Sequence, residues 1–147
     1  MRVKVSSEFP SPADRVWSLV KKSSTLVFVT KGLLGFAGAR QFPSEWQQGA
    51  TQSTRLLFFG FIPAWRHSLT FRTINEAEML MYTDEGGGLV PVWKHAIKVV
   101  PTDDRSCVYE DDVEIQAGLL TVFVWLYAQI FYRYRHLRWQ LLLRRLA

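Results

Sequence analysis

Residues 119–139 read LLTVFVWLYAQIFYRYRHLRW. The first half of this stretch carries no charge, and the second half carries Arg133, Arg135, His136 and Arg138. Three readings compete for it: a membrane anchor, a nucleic-acid-binding helix, or a helix packed inside a globular protein. From Ala117 to Tyr132 there are 16 uncharged residues, interrupted by Gln129. A spanning helix needs about 20 predominantly apolar residues, so the run is short for that task. Periodicity is the better test. Leu120, Phe123, Tyr127, Ile130, Tyr134, Leu137 and Leu141 recur at spacings of three and four, straight through the basic half. Such a stripe belongs to a helix with one covered face. The spacing predicts one long helix from Leu119 to about Leu146, about 42 Å at 1.5 Å per residue, with that stripe against a sheet. An interfacial membrane helix also shows a stripe and is the competing reading.

Upstream of this helix the chain reads as strands and turns. Alternation and β-branched or aromatic content predict strands near Gly38–Pro43, Thr51–Gly60, Pro63–Ile74, Glu78–Asp84, Val92–Val100 and Ser106–Ala117. Turn chemistry separates them: Gln48-Gly49, Asn75-Glu76, Gly86-Gly87-Gly88 and Pro101-Thr102-Asp103-Asp104. The N-terminus, Arg2 to Phe9, alternates like a strand. Ser11 and Pro12 then suit the cap and first turn of a short helix reaching about Lys21, with Asp14 in the acid position of a capping box. Ser23 to Lys31 is expected to form a second short helix ended by Gly32, although Val27 to Thr30 also favour a strand.

A chain of 147 residues, 48% of them hydrophobic, is expected to fold as one domain with a real core. No secretory signal is read at MRVKVSSEF, and the single Cys107 allows neither an internal disulfide nor a Cys-based metal site. These features fit a cytoplasmic protein. The net charge of +5 is localised: residues 1–132 hold 13 basic and 13 acidic residues, and Arg133, Arg135, Arg138, Arg144 and Arg145 supply the excess. Cations suit a helix C-terminus through the macrodipole. The sharper alternative is that Arg133, Arg138, Arg144 and Arg145 form a patch for an anionic surface. A nucleic-acid partner is not expected, because the aromatic residues fall on apolar faces away from most Lys and Arg.

The order is thus strand, two short helices, six strands, one long C-terminal helix. This order resembles the START/SRPBCC superfamily, the helix-grip proteins that include polyketide cyclases, dehydrases and lipid-transfer proteins. The likeness covers essentially the whole chain. Phe9-Pro10-Ser11-Pro12-Ala13-Asp14-Arg15-Val16-Trp17 is similar to the family's strand-to-helix start, and Gln129-Ile130-Phe131-Tyr132-Arg133-Tyr134-Arg135 to a run in the last helix of bacterial ligand-binding members. The resemblance implies an α+β helix-grip fold: a strongly bent antiparallel sheet of about seven strands wrapped around the C-terminal helix, with a cavity between them. It does not choose between binder and enzyme.

Alternation assigns residues to the cavity side. One face of Pro63–Ile74 carries Trp65, His67, Leu69 and Phe71; one face of Val92–Val100 carries Trp93, His95, Ile97 and Val99; one face of Ser106–Ala117 carries Cys107, Tyr109, Asp111, Val113 and Ile115. These faces are apolar apart from His67, His95, Tyr109 and Asp111. A turn at Pro101–Ser106 pairs positions whose numbers sum to about 206, which sets His95 opposite Asp111. The pair is read first as a buried carboxylate with its hydrogen-bonding partner. It is read second as an acid/base pair of cyclase or dehydratase type. The expected ligand-binding set is Trp65, His67, Phe71, Trp93, His95, Tyr109, Asp111, Tyr127, Phe131 and Tyr134, enclosing a small hydrophobic molecule. No metal or other cofactor is expected, since His67, His95 and Asp111 lack any ligand spacing. The glycine run lacks the Lys-Ser/Thr of a phosphate loop. A membrane surface is a less favoured partner than a small molecule, and a homodimer is compatible with the sequence.

Overall fold

The computed structural model describes residues 1–147. The chain forms β1 (Arg2–Phe9), α1 (Ala13–Val20), α2 (Ser23–Thr30), β2 (Leu34–Phe36), β3 (Thr51–Phe58), β4 (Ile62–Asn75), β5 (Leu80–Gly87), β6 (Val90–Pro101), β7 (Cys107–Gln116) and α3 (Thr121–Leu146). The seven strands make one antiparallel sheet in the order β1-β7-β6-β5-β4-β3-β2. Register shifts interrupt β3–β4, β4–β5 and β5–β6 at Arg55/Leu57, Phe71/Thr73 and Glu85/Gly87. Each shift bends its strands and increases the local twist, so the sheet curls around α3. This is an α+β helix-grip arrangement. No helix is long and apolar enough to cross a membrane.

Most predicted elements are present, with instructive differences. The strand expected at Gly38–Pro43 is a 3₁₀ turn over Ala39–Gln41, and the edge strand is Leu34–Phe36. Leu34–Phe36 is completed by pairing with Leu56–Phe58, a contact with no local signature. The cap of α1 is Pro12, not Ser11; the Ser11 hydroxyl is buried without a partner. In α2 the β-branched residues are helical, because Val29 and Thr30 gain burial on that side of the core. The β5–β6 hairpin is tighter than expected, and β5 runs on through Glu85 to Gly87. Gly87 and Gly88 have φ of 155° and 51°, and a Cβ on them would stand 2.0 Å from the Arg66 carbonyl oxygen and 2.2 Å from Trp65 Cγ. Only glycine lets this turn lie so close to β4.

The long helix is continuous, preceded by a 3₁₀ turn at Gly118–Leu120. Its buried face is not the expected stripe. Ala128, Phe131, Tyr132, Arg135, His136, Trp139 and Leu143 are buried, whereas Ile130 and Leu137 are exposed. The first half of α3 is apolar on every side, so periodicity alone does not fix its rotation. In the second half, Arg135 and His136 lie off the expected stripe, yet both turn in toward Asp111. A buried carboxylate needs such partners more than the sheet needs another leucine.

The core divides in two. One cluster, with Phe9, Val16, Trp17, Phe71, Tyr109 and Trp139, lies under α1, α2 and the C-terminal half of α3. The other, with Val3, Val113, Ile115, Ala128, Phe131 and Tyr132, lies under its N-terminal half. The open space and the buried polar groups of the site lie along the helix between and beside them.

Candidate functional site

The sheet and α3 enclose a cavity of about 350 Å³. Of its 30 lining residues, 23 are hydrophobic, so the enclosed surface suits an apolar guest. Trp65, His67, Leu69 and Phe71 reach it from β4, Trp93, His95 and Ile97 from β6, and Tyr127, Phe131 and Tyr132 from α3. Trp46, from the loop before β3, stacks on Phe71 with ring centroids 4.6 Å apart and joins the wall. The polar lining is Thr25, Thr30, His67, Thr83, Glu85, His95 and Arg135.

Of the ten residues expected to bind ligand, seven line the cavity: Trp65, His67, Phe71, Trp93, His95, Tyr127 and Phe131. Tyr109, Asp111 and Tyr134 do not. Tyr109 and Asp111 point inward as alternation requires, but α3 covers them completely. Tyr134 lies on the side of α3 facing α2, where its hydroxyl donates to the Lys31 carbonyl.

His95 and Asp111 do touch, with Nε2 and Oδ1 2.6 Å apart. The register differs from the expected one by two: His95 pairs with Val113 and Asp111 with Ile97, so the contact is diagonal. Asp111 has further partners. His136 Nε2 lies 3.0 Å from Oδ2, the Tyr109 hydroxyl donates to Oδ1 at 3.2 Å, and Arg135 Nε lies 3.5 Å from Oδ2. Ser7 Oγ holds the other His136 nitrogen at 2.7 Å, and Arg135 Nη2 donates to the Tyr109 oxygen at 3.0 Å.

A second carboxylate, absent from the sequence-based set, completes the network. Glu85 accepts from Thr83 Oγ1 at 2.6 Å and lies 3.3 Å from His67 Nε2 and 3.7 Å from His95 Nδ1. Its position beside three glycines read as a turn; only the extension of β5 to Gly87 turns it inward. Burial acts to raise the Glu85 and Asp111 pKa values. The hydrogen bond from His67 and the nearby His95 outweigh it at Glu85, as do the Arg135 charge, His136 and His95 at Asp111, so both carboxyls stay ionised well below the usual range. Burial opposes the charged form of His95, but Asp111 and Glu85 prevail and raise its pKa. Burial likewise opposes the Arg135 charge, and Asp111 more than compensates. His95 thus sits between two carboxylates that both favour its protonated form. Burial raises the pKa of Tyr132 strongly and that of Tyr127 to about 12, so both phenols stay neutral.

His67, His95 and Asp111 are not arranged around a common point; His67 is bonded to Glu85, on the other side of His95 from Asp111. No group of three His, Cys, Asp or Glu side chains is placed to hold a metal ion. The C-terminal arginines do not form one free patch: Arg138 and Arg145 both lie over the Phe28 ring, at 4.3 and 5.4 Å from its centroid. Arg133 bonds Gln129 one turn back. Arg138 donates twice to the Phe28 carbonyl, at 3.2 and 3.0 Å, and stacks over the Phe28 ring. Arg144 and Arg145 remain exposed at the helix end.

No family model matches the sequence, and no curated protein does. The fold itself recurs among solved structures. A START superfamily protein from Mycobacterium smegmatis has a TM-score of 0.72 at 13% identity over 99% of each chain. A protein from Chromobacterium violaceum has a TM-score of 0.74 at 9% identity, over 96% of this chain and 95% of that one. Norcoclaurine synthase from Thalictrum flavum, in complex with dopamine and hydroxybenzaldehyde, has a TM-score of 0.59 at 17% identity, over 93% of this chain and 85% of that one. The chain therefore has the START/SRPBCC helix-grip fold.

Proposed function

We propose that residues 1–147 act as one ligand-binding domain, which takes a small hydrophobic or amphipathic molecule between the sheet and α3. The cavity carries this reading: about 350 Å³ of space lies behind a mostly apolar wall, within the range of about 300–1,000 Å³ usual for small-molecule sites. Polar side chains in its wall, His67, Thr83 and Glu85 among them, give the guest an orientation. Ionised Glu85 only accepts, so His67 offers it Nε2–H; the remaining Nδ1 is buried without a partner, as is Trp65 Nε1. Both atoms lie behind the wall surface, so a polar group on the ligand would reach them only where a wall side chain shifts. Norcoclaurine synthase, bound to dopamine and hydroxybenzaldehyde, supports the view that this fold accommodates small aromatic molecules. The buried, unpaired Cys107 fits a reducing, cytoplasmic setting.

The alternative use of His95 and Asp111 as an acid/base pair is weakened by the same geometry. Both ring nitrogens of His95 face carboxylates, and a proton held so tightly is poorly suited to transfer at neutral pH. Binding is tested with the neutral fluorophore N-phenyl-1-naphthylamine. Val124, half-buried in the wall, is replaced by Trp to fill the space. The wild type should enhance probe emission, and Val124→Trp should lose the enhancement at a near-normal melting temperature. Equal enhancement in the filled variant would place the probe elsewhere and remove the support for this reading.

A further inference from the structure

Three uncharged turns meet at the open end of the cavity. The β3–β4 hairpin presents Phe59 and Phe61, the β5–β6 turn presents Leu89, and the entry to α3 presents Leu119, Val122 and Phe123, all exposed. Phe61 is 73%, Leu119 99% and Phe123 70% accessible. The turns are neighbours: Gly88 lies against Trp65, and the Phe58 ring lies 5.9 Å from that of Tyr127. Leu89 and Phe123 also line the cavity, so the apolar rim surrounds its mouth. Contiguous apolar surface of this kind marks a binding face.

Charge decides what the rim fits. Segments 55–67, 86–95 and 117–132 frame the mouth and contain none of the 13 acidic residues of the chain. Their Lys and Arg residues are Arg55, Arg66 and Lys94, and Lys94 stands opposite Asp84 and Glu114 on its neighbouring strands. Arg55 and Arg66 stand directly opposite each other on β3 and β4, both exposed and without a role in any ion pair of the fold. Like charges so placed repel, and an external anion relieves them. Three residues of strand, about 10 Å, separate Arg55 from Phe58 at the start of the apolar turn.

We propose that this end of the molecule docks on an anionic lipid bilayer, with the apolar tips among the acyl chains and the arginines at headgroup depth. The insertion depth of interfacial elements, about 5–10 Å, matches that spacing. The cavity then opens toward the lipid, and an apolar ligand enters it without crossing water. A second copy of the chain fits less well, because an isologous contact sets one basic flank against the other with no carboxylate between them. The basic end of α3 at Arg144 and Arg145 lies about 30 Å away along the helix and is not part of the docking face. The proposal concerns the surface alone and stands whether or not the cavity takes the ligand class inferred above.

Flotation of the ligand-free protein tests it, with vesicles of phosphatidylcholine alone and of phosphatidylcholine with phosphatidylglycerol. The wild type should float with the anionic vesicles at low salt. Phe61→Asp with Phe123→Asp should lower the partition coefficient by about tenfold or more on both lipids. Arg55→Gln with Arg66→Gln should lower it only on the anionic vesicles, and less as salt rises. Arg144→Gln with Arg145→Gln should leave it unchanged. Thermal melting checks the fold, and Leu119→Asp, at a fully exposed position, replaces the double Phe variant if that unfolds. No flotation of the wild type, flotation kept by the rim variants, or loss that follows Arg144 and Arg145 would overturn the proposal. So would a concentration-dependent dimer that the rim variants dissociate without any vesicle binding.

Discussion

Replacing Asp111 tests the buried network most directly. Its carboxylate is fully buried and meets His95, His136, Tyr109 and Arg135. Asp111→Ala leaves the Arg135 charge in the interior without its counter-ion, and removal of one member of a buried pair costs about 3–5 kcal/mol. Asp111→Asn keeps an acceptor and loses the charge; hydrogen bonds to charged groups are worth about 1.5–3 kcal/mol, which bounds the expected loss. Adding Arg135→Met to Asp111→Ala should recover part of the deficit, by about 1 kcal/mol or more, because the stranded charge is gone. Urea unfolding followed by tryptophan fluorescence measures the wild type, Asp111→Ala, Asp111→Asn, Arg135→Met and the double variant. The pH dependence has a definite sign. Asp111 has a lowered pKa, so its contribution is complete above the ordinary value of 3.8 and is lost as pH falls through the folded value. His95 has a raised pKa, so its contribution is complete below 6.5 and is lost as pH rises through the folded value. Wild-type stability should therefore decline above pH 6.5, and the decline should shrink in Asp111→Asn, where His95 loses its strongest charged partner. A cost below about 1 kcal/mol for Asp111→Ala, or strict additivity with Arg135→Met, would refute the reasoning.

Three further outcomes follow from packing. Trp139→Ala should cost about 3–5 kcal/mol, while Leu137→Glu, two residues away on the exposed face, should stay within about 0.5 kcal/mol by urea unfolding; the reverse order would restore the expected stripe. Gly87→Ala places a Cβ 2.0 Å from the Arg66 carbonyl oxygen and should lower the melting temperature by several degrees, about 1–3 kcal/mol of strain. Cys107 is fully buried and burial pushes its thiol up to about 11, so a thiol reagent at pH 8 should label it only at the rate of unfolding, as stopped-flow absorbance would show.

Much of the architecture was written in local pattern. Period-two alternation in β4, β6 and β7 set Trp65, His67, Trp93, His95 and Asp111 on the inner face, and the turn at Pro101–Ser106 brought His95 within reach of Asp111. Those are properties of neighbouring residues, and a sequence carries them directly. The rotation of α3, the inward turn of Glu85, and the burial of Arg135 and His136 are different in kind. An all-round apolar helix has no preferred face until a sheet is laid against it. A basic residue counts as solvent-facing until a carboxylate on another strand, more than 20 positions away, needs its charge. The tertiary structure settled these points because they minimise the cost of burying Asp111 and Glu85, a balance struck between elements and invisible within any one of them. The rim around the cavity mouth has the same origin: each uncharged turn is unexceptional alone, and only the curl of the sheet gathers them at one end.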